Sequence, residues 1–163
     1  MATPIVSWYN ETNTNEVLNW TIGKVDAGTE SAELRVLIWN NREGAAALSD
    51  MTNCTVTTKD LSGGNTTEVV TGKWIQAKCN SAGDTAFEAI GGSQGVNMTS
   101  GLLGTEKPVK ASAAEAGIIS GAVNSGALTD TANYTDVSFK ASVPLTATAG
   151  TTNFNLRLSY QYV

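Results

Sequence analysis

The chain has 163 residues, 41% of them hydrophobic, which suits one domain with a full core and is too apolar for a disordered segment. Only 15% are charged, the net charge is -5, and no run of Lys or Arg occurs. The basic face that tracks phosphates is therefore missing, which sets nucleic acid and anionic membrane surfaces aside as partners.

The polar content is mainly Thr, Ser, Asn and Gly, residues of strands, turns and loops rather than of helical surfaces. Met1 to Trp8 shows no basic start and no apolar run of secretory length, and no stretch approaches the roughly 20 apolar residues of a membrane helix. A natural start at Met1 implies folding in the cytoplasm. A start left by removal of a leader keeps a secreted module open.

Residues 1–15 read as an N-terminal arm, apolar from Pro4 to Tyr9 and polar from Asn10 to Asn15. Its apolar members Ile5, Val6, Trp8 and Tyr9 either fold back as an edge strand or dock on a partner. Strands are expected at 17–25 and 33–40. The second is apolar on both faces (Leu34, Val36, Ile38; Leu37, Trp39), as befits a covered central strand. Arg42-Glu43-Gly44 marks a turn, and one helical turn is expected over 45–50. Strands at 54–59 and 68–71 flank Ser62-Gly63-Gly64-Asn65, a hairpin signal, and 73–79 pairs with 85–90 across 80–84.

From Gly91 to about Asp130 the texture turns Gly-, Ala- and Ser-rich, which reads as a long insertion or functional loop with a short helical piece over 111–116. The ending carries the clearest β signal. Val137, Phe139, Ala141 and Val143 alternate with polar residues until Pro144, and Phe154, Leu156, Leu158, Tyr160 and Tyr162 alternate again after the Ala149-Gly150-Thr151 turn. These two strands are expected to close the fold as a hairpin. The expected fold class is all-β, an immunoglobulin-like antiparallel β-sandwich over 16–163 with a long Gly/Ala/Ser-rich insertion at about 91–130.

Chemistry is hard to find in this chain. Histidine is absent, which removes the usual general base, the commonest metal ligand and every imidazole triad. No phosphate loop, dinucleotide fingerprint, nucleophile elbow or Cys-x-x-Cys pair occurs. Two cysteines do not make a structural zinc site by themselves. No catalytic residue, cofactor or metal is therefore assigned.

The acids Asp26, Glu33, Asp50, Asp60, Asp84, Glu88, Asp130 and Asp136 fall on turns and strand ends, where solubilising loop charges are the reading preferred over a glycosidase pair or a calcium site. Cys54 and Cys79 alternate onto the inward side of what read as neighbouring strands. A bridge between them is sterically conceivable, and a cytosolic origin favours two buried thiols. Six Asn-x-Thr triplets, starting at Asn10, Asn19, Asn53, Asn65, Asn97 and Asn133, are put down to the Thr/Asn-rich composition rather than to glycosylation. Trp20, Trp39 and Trp74 read as core rather than as a sugar-stacking platform.

Trp20-Thr21-Ile22-Gly23-Lys24-Val25-Asp26-Ala27-Gly28, Ile38-Trp39-Asn40-Asn41 and Val143-Pro144-Leu145-Thr146-Ala147-Thr148-Ala149-Gly150 resemble Ig-like structural proteins of tailed bacteriophages, head proteins above all. The resemblance covers roughly 16–90 and 134–163. It implies a non-enzymatic virion protein, made in the host cytoplasm, that decorates the outer capsid surface and stabilises it. Its partners would be the major capsid protein and further copies of itself, since such proteins typically form small oligomers, often trimers. On that expectation Ile5, Val6, Trp8, Tyr9, Leu102 and Leu103 contact the capsid or sister subunits, and deleting 1–9 abolishes particle binding while the domain stays folded. The competing expectation is a secreted Ig-like module that binds carbohydrate or a cell surface, or a tail or spike component.

Overall fold

The computed structural model describes residues 2–92 and 106–163. Its elements in chain order are β1 (Val6–Asn10), β2 (Leu34–Asn40), β3 (Thr52–Lys59), one helical turn α1 (Glu68–Thr71), β4 (Ile75–Cys79), β5 (Glu88–Ala89), β6 (Lys107–Pro108), β7 (Tyr134–Ala141) and β8 (Asn155–Gln161). The protein is all-β, and every strand pairing is antiparallel. One sheet runs β1-β2-β7-β4-β5 and the other β6-β3-β8.

Period-two alternation decides what these strands bury. Val36 and Ile38 of β2, Val137 and Phe139 of β7, and Ile75, Ala77 and Cys79 of β4 enter one cluster with Cys54 and Val56 of β3, so the two sheets share a core. β2 is covered on both faces, as its double apolar pattern requires. Leu37 and Trp39 on its other side are also buried. There Trp39 packs on Tyr134 with ring centroids 4.6 Å apart, and the Arg42 guanidinium sits 4.1 Å over the Tyr9 ring.

The Asn-Asn ending of β2 is a polar hub. Asn40 donates to the carbonyls of Ser49 and Ile119, and Asn41 to those of Ala46 and Gly121. Both side chains are buried, and they tie the turns after β2 to residues 119–122.

Several expectations need correction. Residues 17–25 form no strand. Val17, Trp20 and Ile22 pack against the core as an extended strap, and among the described residues no backbone N–H between 18 and 27 finds a backbone partner. Their apolar spacing is not a sustained two, and Gly23 lies at φ +78°, off the strand region.

Residues 68–71 are a helical turn, closed by the Thr71 N–H on the Thr67 carbonyl and the Gly72 N–H on the Glu68 carbonyl, and it buries both Val69 and Val70. Successive residues of a strand would face opposite ways. The turns over 45–50 and 111–116 are not helical either, since their amides bond outward: Leu48 to Gly121, Ser49 to Ala2, Ala111 to Ile118 and Ala113 to Thr131. The expected strand at 85–90 shrinks to two residues, correctly paired with β4.

The C-terminal hairpin does not form. β7 pairs with β2 and β4, whereas β8 pairs with β3, so residues 142–154 carry the chain from one sheet to the other. Residues 106–130 bring Val109, Ala111 and Ile119 into the core, and Met51 bridges to Ile119.

Cys54 and Cys79 are free and buried, on strands of different sheets rather than on neighbours. Burial pushes the Cys54 thiol up to about 12. Only the thiolate reacts readily. Both side chains are also withdrawn from solvent, so both cysteines should be silent to a thiol-disulfide reagent such as DTNB in the native protein at pH 8, and both should react once denaturant unfolds it. Rapid native labelling of either would contradict this packing.

A candidate docking surface along the open side

The sequence pointed first to the N-terminal arm. In the structure residues 6–10 are β1, paired with β2 from Val6 opposite Asn40 to Asn10 opposite Val36. Val6 and Trp8 turn inward, and Trp8 stacks on Phe139 with ring centroids 6.3 Å apart. Tyr9 lies beneath Arg42. Of the arm residues singled out, Ile5 alone is well exposed, at 61%. Leu102 and Leu103 lie outside the described residues.

The arm is thus the edge strand of the larger sheet. Deleting residues 1–9 should lower stability by about 2 kcal/mol, since Val6 and Trp8 are half-buried and full burial is worth roughly 1.5–3 kcal/mol per large apolar side chain. Denaturant melts measure this, and an unchanged midpoint would show that β1 is dispensable to the fold.

A more exposed apolar surface lies next to β1. The outer edges of β1 and β8 stand on one side of the molecule, and residues 16–27 cross between them. The strap leaves two grooves of about 580 and 590 Å³. The first is lined by Val6, Trp8, Trp20, Leu61, Phe154 and Leu156, with Leu18 and Asn19 on the strap and Asn153 and Asn155 at the start of β8. The second lies among Ile22, Val25, Trp74, Val143, Ala147 and Phe154. Trp20 meets Phe154 edge-on at 6.1 Å. Leu18 is 84% exposed and Leu61 65%, so two large apolar side chains flank one groove. Isolated exposed leucines need no explanation, but a cluster beside a groove marks a contact surface.

Leu61 is held in place by its neighbour. Asp60 accepts hydrogen bonds from the backbone N–H and hydroxyl of both Thr66 and Thr67, at 2.6–3.0 Å. Asn155 donates to the Asp60 carbonyl, which ties this loop to β8. Those donors, the Thr67 and Thr66 hydroxyls foremost, hold the Asp60 carboxyl well below the usual carboxylate range.

Other acids are employed in the same way. Asp130 accepts from Ser125 and Ala127, Asp50 from Ser120 and Gly121, and Asp136 from Arg35 and Asn80. Lys107 bridges Asp84 at 3.0 Å and Glu88 at 3.3 Å. Asp50, Asp60, Asp84, Glu88, Asp130 and Asp136 thus tie segments together, whereas Asp26 and Glu33 are exposed, as the reading of solvated charge expects. Among the described residues no three Asp, Glu or Cys side chains gather to hold a metal ion. Asn133, the start of one Asn-x-Thr triplet, is buried with its amide donating to Ser120 and Ala122.

The depressed pKa of Asp60 carries a pH signature. A carboxyl whose folded pKa lies below its unfolded value of about 3.9 contributes stability above that value and loses it as pH falls toward the folded pKa. Asp60→Asn should therefore lower the melting temperature by several degrees at pH 7, and the gap to wild type should close as pH falls below about 4. A gap that is constant with pH would show that the carboxylate charge is not what holds the loop.

Sequence reasoning missed Leu18 and Leu61, because Leu18 lies within the expected strand over 17–25 and Leu61 in the turn between two expected strands. Comparison with protein-family models, with curated proteins and with solved structures returns no match for this chain.

Proposed function

We propose that this chain is a non-enzymatic structural protein of a virion that decorates the outer surface of a tailed-phage capsid and stabilises it. On this reading the two facing sheets are an immunoglobulin-like sandwich, and the open side between β1 and β8 rests on the major capsid protein. The observation that carries the proposal is the pairing of a chemically quiet interior with an adhesive exterior. The chain lacks histidine and Asp50, Asp60 and Asp130 serve as loop staples, while Leu18, Leu61, Trp20 and Phe154 gather along one groove.

Decoration requires no catalysis. It requires a stable module with a modest apolar contact, repeated over many copies so that binding reinforces the assembled shell. The Thr/Asn-rich surface and net charge of -5 keep such copies soluble and apart elsewhere.

The test sequences the genes that flank this chain's own, where the reading expects a major capsid protein, and uses capsids assembled from that protein. Purified protein should co-sediment with them in a saturable manner. The double variant Leu18→Asp, Leu61→Asp, with its melting temperature intact, should bind at least tenfold more weakly, a loss of about 1.4 kcal/mol. Capsids that carry no protein, or that carry the double variant as well as wild type, would refute the reading.

The groove also favours a second reading, a carbohydrate-binding module. Trp20 and Phe154 offer ring surface, and Asn19, Asn153 and Asn155 offer amide donors and acceptors beside it. Glycan-dependent stabilisation of the protein that disappears in Trp20→Ala would favour that reading over decoration.

A further inference from the structure

The two sheets end in four edges among the described residues, and three are closed. The outer side of β1 is covered by the segment that follows it: Val17 N–H donates to the Trp8 carbonyl at 2.8 Å and Asn10 N–H to the Asn15 carbonyl at 2.9 Å. β5 and β6 are two residues long, and Lys107 of β6 reaches Glu88 of β5 across the gap between the sheets.

The fourth edge, β8, is seven residues long, and the strap flanks only its start, where residues 16–21 share a groove with residues 153–156. Among the described residues no backbone hydrogen bond reaches its outer side. Natural sheets blunt such an edge with Pro, with a bulge, with charged side chains or by covering it with a helix or loop. β8 has no Pro, and its single charge, Arg157, is paired with Glu106 at 3.3 Å.

Which groups are free follows from β3. Val109 N–H donates to the Cys54 carbonyl on the β6 side, so alternation turns the amides of Thr55, Thr57 and Lys59 toward β8. Their partners are Ser159, Arg157 and Asn155. Leu156, Leu158 and Tyr160 therefore present their N–H and C=O groups outward, while their side chains lie half-buried on the core side.

We propose that β8 pairs antiparallel with β8 of a second copy of this chain, about a two-fold axis through Leu158. The two three-stranded sheets then become one of six strands. This inference stands on the edge alone and is independent of the virion reading.

The register follows from the same residues. Centring on Leu158 sets Leu156 against the partner's Tyr160 and Leu158 against the partner's Leu158, so all three free residues take part and about six inter-strand hydrogen bonds form. The core-side row is then apolar throughout. On the other face Arg157 meets the partner's Ser159, and Asn155 meets the partner's Gln161, with no like charges opposed. Centring on Arg157 would oppose two guanidinium groups. Centring on Ser159 would set Leu156 against the second copy's Tyr162, beyond the end of β8.

Ser159 gives the test, because substitutions there push the fold and the dimer in opposite directions. Within its own chain Ser159 lies opposite Thr55, whose hydroxyl donates to Glu106. An arginine at 159 is thus welcome in the monomer, yet it faces the partner's Arg157 twice in the dimer. Sedimentation equilibrium over a wide concentration range should show wild type in monomer–dimer exchange. Ser159→Arg should weaken the dimer about tenfold with no fall in melting temperature, and Ser159→Glu should tighten it several-fold. A wild type that stays monomeric, a closed trimer, or a dimer indifferent to both substitutions would overturn the proposal.

Discussion

Everything in this molecule depends on the contact between β2 and β7 and the apolar floor they form together. Val36, Ile38, Val137 and Phe139 are fully withdrawn from solvent, and Cys54 and Val56 of the smaller sheet close over them. This is the central pair of the larger sheet, so β1 and β4 attach to it on either side. β1 in turn lends Trp8 to the same core through Phe139. Burial of that floor is the largest favourable contribution the structure offers, and the polar features are arranged around its margins.

Those margins account for the rest of the design. At one end of β2, Asn40 donates to the Ser49 carbonyl, which no backbone N–H among the described residues reaches, and a buried carbonyl left unpaired costs about 1–3 kcal/mol. On the side of β5 and β6, Lys107 and its two carboxylates close the gap between the sheets. The opposite side stays open, crossed by a strap whose amides have no backbone partners and flanked by exposed leucines. A chain whose acids Asp50, Asp60 and Asp130 are engaged in loop geometry and whose exposed apolar residues gather at that opening is built for contact, and the proposed capsid docking and β8 pairing both use this side.

Much of the fold was legible because strand faces are a local property. β2, β3, β4, β7 and β8 all follow period-two patterns of β-branched and aromatic residues, and each forms close to where that pattern lies. Pairing is not local. Alternation in β7 and β8 states which side chains turn inward but not which strand lies alongside, and the two strands entered different sheets instead of forming a hairpin. The helical turn at Val69 and Val70 was hidden because two adjacent β-branched residues suit either state until their joint burial is known. The strap was mistaken for a strand because Trp20 and Ile22 mimic alternation over too short a span. The open side was illegible for a related reason: Leu18, Leu61 and Phe154 are far apart in the chain, and only the crossing of residues 142–154 between sheets brings them together.

Hydrogen exchange on the intact protein tests the central pair most directly. The account predicts that the slowest amides lie in β2 and β7, around Val36, Ile38, Val137 and Phe139, and that residues 18–27 exchange at nearly the unprotected rate. Slow exchange across 18–27 would mean that the strap is a true strand. Rapid exchange in β7 would mean that the floor does not hold the molecule together, and either result would contradict the account.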